Sequence, residues 1–299
     1  MKKTILLTLG LSACLLLFFS SCKKKNEKEP KLIFKYKLDS TQVRLGNFGQ
    51  PVSVPAGNAG QSPKFNAISS HYMELAPNAY TQLGAGVVLY HQAETTQGGA
   101  NAIDHSQAVI KNDGEQFFEV PLKDVTPGTY EWLRVSLSYQ NYDVQMRIDT
   151  TIAGFGIHQF FTTTIASFVG FNTYINNFNV KTKNYVVSAN KKQGFWGFEG
   201  NFYGTLYTDT GTAPVTTVPN PIASTSPIPA GSCVVTGQFE NGNLTITGNE
   251  TEDIVVEVSL SINKSFEWQD TNPNGYWEPL KDEQLVDMGL RGLIPRVVQ

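Results

Sequence analysis

Cysteine is scarce in this chain, with three residues in 299, Cys14, Cys22 and Cys233, so no disulfide framework is available to it. Blocks of Ala, Leu, Glu and Lys of the kind that build long helices are missing, which argues against a bundle or coiled coil. Beyond residue 30 there is no cluster of Lys and Arg, and the formal net charge is −3. Phosphate binding needs concentrated positive charge, so nucleic acid is excluded as an expected partner. Also absent are a Gly-x-Ser-x-Gly elbow, a phosphate-cradling glycine loop and a His-Glu-x-x-His pair. A catalytic role is therefore not expected. No internal repeat marks a solenoid or propeller.

What is present begins with an export signal. Lys2 and Lys3 precede an apolar run from Ile5 to Phe19, too short to span a bilayer, which needs ~20 residues. Ser20 and Ser21 then lead into Cys22, a pattern that resembles the bacterial lipobox, with Phe19 where Leu is usual. Leu11-Ser12-Ala13-Cys14 is a competing box, but its use would leave Leu15 to Phe19 exposed on the mature chain. The reading is a signal peptide over 1–21, lipidation at Cys22, and a charged tether over 22–30 rich in Lys and Glu. Fully extended, the tether spans ~25 Å. With two or more acyl chains the anchor is stable, and it places the rest at an outer membrane or cell surface, with the periplasmic leaflet an alternative. Cys233, the remaining thiol, is expected to be a small buried hydrophobe.

From residue 31 onward Gly, Thr, Asn, Val, Phe and Tyr favour strands joined by turns, and the expected fold is an all-β sandwich of mainly antiparallel strands. Phe34, Tyr36 and Leu38 alternate with Lys35 and Lys37, predicting a first strand with one wet face. Further strands are expected around 67–75, 86–92 and 115–122. Pro127-Gly128 then turns the chain into Trp132–Leu137, with Leu133, Val135 and Leu137 facing the core. Phe and Trp concentrate between 150 and 200, either as packing or as a platform for a sugar or peptide. A Pro-, Thr- and Ser-rich stretch, 211–231, separates region 31–210 from a C-terminal β region, 232–299, read either as a second subdomain or as packed on the same sandwich. There, Asn241-Gly242 predicts a hairpin joining 234–240 to 244–247. Ile254, Val256, Val258, Leu260 and Ile262 predict a long strand with one buried face.

Two constellations could bind metal. His71 and His91 fall on neighbouring predicted strands and can converge; His105 and His158 have no such relation. Asp270, Asn272, Asn274, Tyr276 and Glu278 place donors at alternating positions around Gly275, matching the first half of a calcium loop. Position twelve is Lys281 instead of Glu, and an ion-free Asx turn is the alternative.

The order Gly49-Gln50-Pro51, Phe65-x-x-x-Ser69-Ser70, Tyr90-His91 and Val125-Thr-Pro-Gly-Thr-Tyr130 resembles the MbnP-like domain of bacterial lipoproteins, over about Leu32 to Gly200. That resemblance implies a copper site of histidines and a modified tryptophan. Carried over, it falls on His71 and His91, with no Trp between or beside them. The functional expectation is a lipid-anchored, non-enzymatic lipoprotein that binds a ligand or partner. A copper-binding MbnP-like protein and a carbohydrate-binding accessory protein are the alternatives.

Overall fold

A computed structural model describes residues 29–152, 154–213, 233–288, 290 and 292–298, and shows an all-β chain without an α-helix among them. Its strands are Lys31–Asp39 (β1), Asn58–Gln61 (β2), Lys64–Ala76 (β3), Val87–His91 (β4), Glu94–Thr95 (β5), Ala102–Asp104 (β6) and Gln116–Pro121 (β7). Gly128–Tyr130 (β8), Trp132–Ile152 (β9), Phe155–Phe168 (β10), Asn172–Asn179 (β11), Asn184–Lys192 (β12), Phe195–Phe202 (β13) and Thr205–Thr212 (β14) follow. Cys233–Gln238 (β15), Leu244–Ile246 (β16), Ile254–Ser261 (β17), Phe266–Gln269 (β18), Leu285–Met288 (β19) and Leu293–Val297 (β20) complete the set. Cys14, Cys22, the signal, most of the tether, residues 214–231 of the Pro-rich stretch and Ser232 lie outside the described residues.

The main sandwich follows from alternation. One sheet, in the order β20-β17-β1-β7, turns Leu32, Phe34, Tyr36, Val256, Val258 and Leu260 inward. The facing sheet, β14-β13-β10-β9-β3-β4, with β15 also on β9, supplies Ile68, Met73, Leu75, Leu133, Val135, Leu137 and Val235. β1 and β17 pair in parallel, from Leu32 opposite Ile254 to Asp39 opposite Ser261, so the first and a late strand lie side by side. The Pro127 turn is pinned by the Tyr130 hydroxyl, which donates to the Thr126 carbonyl at 2.6 Å.

Two expectations need correction. β15 and β16 do not form a hairpin: β15 pairs with β9 and β16 with β8, so 233–246 runs antiparallel to 128–137 with a detour at Asn241-Gly242. Both detour residues have positive φ, but burial of Leu244 and Ile246 against the main core decides the partner. The second correction concerns the 254–262 strand, expected to have one buried face; its second face is covered too, and β9 shares that condition. Arg134 and Ser136, opposite the core face of β9, are buried, as are Ser259 and Ser261 on β17. Surface segments cover them: Arg134 donates to the carbonyls of Asn78 and Ala79, and the Ser261 hydroxyl donates to the Val43 carbonyl at 2.9 Å.

The 21-residue β9 reaches beyond the sandwich into a second core. There Tyr142, Val144 and Met146 pack with Ile165, Phe266, Trp268, Trp277 and Met288, the last four from β18, β19 and the loop between them. A third cluster of Tyr139, Phe168, Phe178 and Phe195 joins the large sheet to β11. Core positions on β9 change from odd to even between Leu137 and Tyr142, which a regular strand cannot do. Its pairing with β3 slips between Ser69 and Ser70 and again between Ser70 and Tyr72.

Candidate functional site

The second slip sets up the site. Ser70 faces Leu137 and Tyr72 faces Ser136, so His71 is the extra residue of a β-bulge on β3. Bulges re-aim a side chain out of the regular alternation. The carbonyl of His71 accepts the amide of Gln92 at 2.7 Å, just past β4. β4 itself ends on His91, paired with Tyr72. Glu94 opens β5, whose pairing with β6 places Asn101 beside it, and the Asn101 amide donates to Glu94 Oε2 at 2.6 Å.

Three donor atoms converge. Nε2 of His71 lies 2.9 Å from Glu94 Oε1, Nε2 of His91 lies 3.2 Å from the same oxygen, and the two nitrogens are 3.2 Å apart. Hydrogen bonds cannot fill all three edges of this triangle: Glu94 Oε1 can accept from both rings, but the nitrogen–nitrogen edge is then left unbonded, because each ring nitrogen presents either one proton or one lone pair. If both nitrogens donate to Glu94, their N–H groups confront each other. If either gives up its proton, its lone pair faces the carboxylate. A cation bound to imidazole nitrogen and carboxylate oxygen at ~2.0–2.2 Å, with bond angles between ~90° and ~110°, sets neighbouring donors ~2.8–3.6 Å apart. Among the described residues, this is the group of three or more His, Cys, Asp or Glu side chains whose ligand atoms gather this closely.

The electrostatics suit the same role. Burial, with the neighbouring His91, pushes His71 down to about 4, so its ring is neutral near pH 7 and a lone pair is available without displacing a proton. Glu94 is held below the usual carboxylate range by Asn101 and the two histidines, against the opposing effect of burial. His71 is 1% exposed, while the side chains of His91 and Glu94 are 50% and 25% exposed, so the cluster is rooted in the protein and open on one side. The His71 ring has Phe171 at 5.7 Å between centroids, and its Nδ1 is buried without a hydrogen-bond partner.

The pairing of His71 with His91 was legible from their strands, whereas Glu94, Asn101 and Phe171 were missed. Glu94 sits three residues after His91, a signal that could have raised it. The other two histidines stand apart: His105 packs against Tyr139 and Phe168, and His158 pairs with Asp149. Cys233 is buried and donates to the Leu290 carbonyl.

The second constellation folds as a compact loop between β18 and β19. Asp270 accepts the amide of Gly275 at 3.0 Å, Glu278 accepts the side-chain amides of Asn272 and Asn274, and Glu283 Oε2 accepts the Glu278 amide at 2.6 Å. The Tyr276 ring packs on Phe160 and Arg147, leaving only its main-chain carbonyl as a donor to an ion. The loop walls one side of a cavity of about 980 Å³ lined by Met146, Phe161, Trp196, Phe198, Phe202 and Trp277 among others. The aromatic concentration of 150–200 thus divides between packing, as with Phe168, Phe178 and Phe195, and this cavity.

No family model, curated protein or solved structure matches the chain.

Proposed function

We propose that this chain is a lipid-anchored extracytoplasmic protein that binds a late first-row transition metal, copper foremost, through His71, His91 and Glu94. The observation that carries the reading is the meeting of two imidazole nitrogens and one carboxylate oxygen within 3.2 Å of one another. Nitrogen and oxygen donors bind Cu²⁺ most tightly in the divalent series, and the MbnP-like resemblance points to the same metal. Three protein donors with an exposed flank leave room for a further ligand, which fits reversible loading at the cell envelope. Lipidation at Cys22 rests on the signal and the tether sequence.

Calorimetric titration of the purified, chelator-stripped protein with Cu²⁺ and Zn²⁺ tests the metal reading. We expect one equivalent to bind, Cu²⁺ more tightly than Zn²⁺. His71→Ala or Glu94→Ala should weaken binding at least tenfold, and the His71→Ala/His91→Ala double variant should abolish it. Unchanged copper binding in the double variant would remove the reading. Mass spectrometry of membrane fractions, searching for an acylated Cys22, tests the anchor.

The apolar cavity supports a second reading, a carrier of a small hydrophobic or carbohydrate ligand. Its volume is that of a small-molecule site, and Trp196, Trp277 and Phe198 provide ring faces. Silence on a glycan array and no response to apolar fluorescent probes would dispose of it.

A further inference from the structure

We propose that the loop from Asp270 to Glu283 holds a calcium ion, through the carboxylates of Asp270, Glu278 and Glu283 and the side-chain oxygen of Asn272, and that this ion fixes the Trp277 wall of the apolar cavity. The site is separate from the histidine cluster and does not depend on it.

The charge distribution is the first observation. Glu278 and Glu283 are 1% and 5% exposed, and Asp270 stands close enough to Glu283 for its charge, with that of Glu278, to act on it. Among the described residues one cation pairs with this group, Arg147, whose Nε lies 3.7 Å from Glu278 Oε1 and whose guanidinium is shared with Asp149 at 3.5 Å. Burying charges of one sign with so little compensation is costly, and a bound cation removes that cost.

The second observation is independent of charge. Glu283 Oε1 is buried and makes no hydrogen bond of normal geometry, with the Asn272 backbone amide near the carboxylate, while Oε2 is committed to the Glu278 amide inside the loop. Glu278 Oε1 likewise has no hydrogen bond. Opposite them, the amides of Asn272 and Asn274 both press on a single oxygen, Glu278 Oε2, at 2.8 Å in the case of Asn272. Nitrogen and oxygen of such an amide exchange places by a half-turn. Asn274 is fixed as it stands, because its Oδ1 accepts the Tyr276 amide at 2.8 Å, but Asn272 turned over sets its oxygen against the carboxylate, where oxygens without protons require a cation between them.

The donor set selects the ion. Carboxylates and amide carbonyls with no nitrogen or sulfur suit a hard cation, and a loop of alternating donors with Gly275 at φ +74° for the sharp turn suits Ca²⁺ better than the rigid octahedron of Mg²⁺. Glu283 takes the place of the missing Glu at position twelve, reached two residues later because Asp282, at φ +60°, turns the chain back. The carboxylates are gathered less tightly than the histidine cluster, so binding has to draw them inward. Trp277, Pro279, Leu280 and Leu285, which line the cavity, move with that closure.

The test is a calcium titration of the full, chelator-stripped protein, followed by calorimetry, thermal melting and tryptophan fluorescence. We expect one ion with a dissociation constant of ~10⁻⁴–10⁻³ M or tighter, and a melting-point rise of about 3–5 °C at ten times that concentration. The fluorescence change should be lost in Trp277→Phe, and Mg²⁺ should have a far smaller effect. Glu283→Gln and the milder Asn272→Ser should weaken calcium at least tenfold, while the His71→Ala/His91→Ala variant should keep the full response. Absence of heat and of any melting shift in the unmodified protein at ~10 mM Ca²⁺ would overturn the proposal, whatever the variants do.

Discussion

Arg134 and Glu74 show what a single pair of side chains contributes. Both are fully buried, with Nη1 and Oε2 3.8 Å apart, and each is tied to the segment that covers them. Arg134 donates to the Asn78 and Ala79 carbonyls, and Glu74 Oε1 accepts the amides of Gly84 and Gly86. Burial pushes Glu74 up and Arg134 down, so the pair persists only because each partner and the backbone compensate the other. Arg134→Met is expected to cost about 3–5 kcal/mol in urea unfolding, because it leaves Glu74 buried and unpaired. Combining it with Glu74→Gln, which keeps an acceptor for the glycine amides, should recover most of the loss. A double variant no more stable than Arg134→Met would refute this account. Alternation placed Arg134 only on the face away from Leu133, Val135 and Leu137; the covering segment is a long-range feature that alternation does not encode.

Among the elements, β3 and β9 carry the information that periodicity lacks. The bulge at His71 reverses the alternation of β3, bringing a residue beside the core strand Met73 to Leu75 into the site. Its position follows from the partner strand, so the local sequence Ser69-Ser70-His71-Tyr72 gives no sign of it. β15 was misjudged for a similar reason, since Asn241-Gly242 carries the dihedral preferences of a hairpin while the hydrophobic faces of 233–238 and 244–246 are claimed by β9 and β8. Gly237 marks how closely β15 meets the end of the chain: a Cβ there would overlap the Leu293 carbonyl at the start of β20. Gly237→Ala should therefore destabilise by about 1–3 kcal/mol, as overpacking against backbone does. A melting temperature equal to that of the parent protein would show that β15 and β20 can move apart freely.

For the whole molecule, the acid limb of stability is set by two histidines held neutral, His71 buried and His105 half-buried. His105, held between Tyr139 and Phe168, is pushed down to about 4 by burial, as is His71. The unfolded chain takes up these protons near pH 6.5 and the folded one only near 4, so stability is full above about pH 6.5 and falls as pH drops toward 4. Carboxylates held low by hydrogen bonds, among them Glu199 and Glu250, add their loss below the ordinary carboxylate range. Denaturant unfolding measured between pH 7.5 and 4 in the presence of chelator should show this slope, and His105→Phe should flatten it. An unaltered slope in that variant would mean that His105 is not protonated on unfolding in this window.

The amino-acid sequence by itself determined the β class, the inward faces of β1 and β17, the Pro127 turn and the candidacy of His71 and His91, because alternation, turn chemistry and residue type are local properties. Tertiary structure alone decided that β1 lies parallel to β17, that both faces of β9 are covered, and that Glu94 joins the two histidines. Those outcomes depend on which distant strands bury each other and on a register slip between them, and such competition has no local signature.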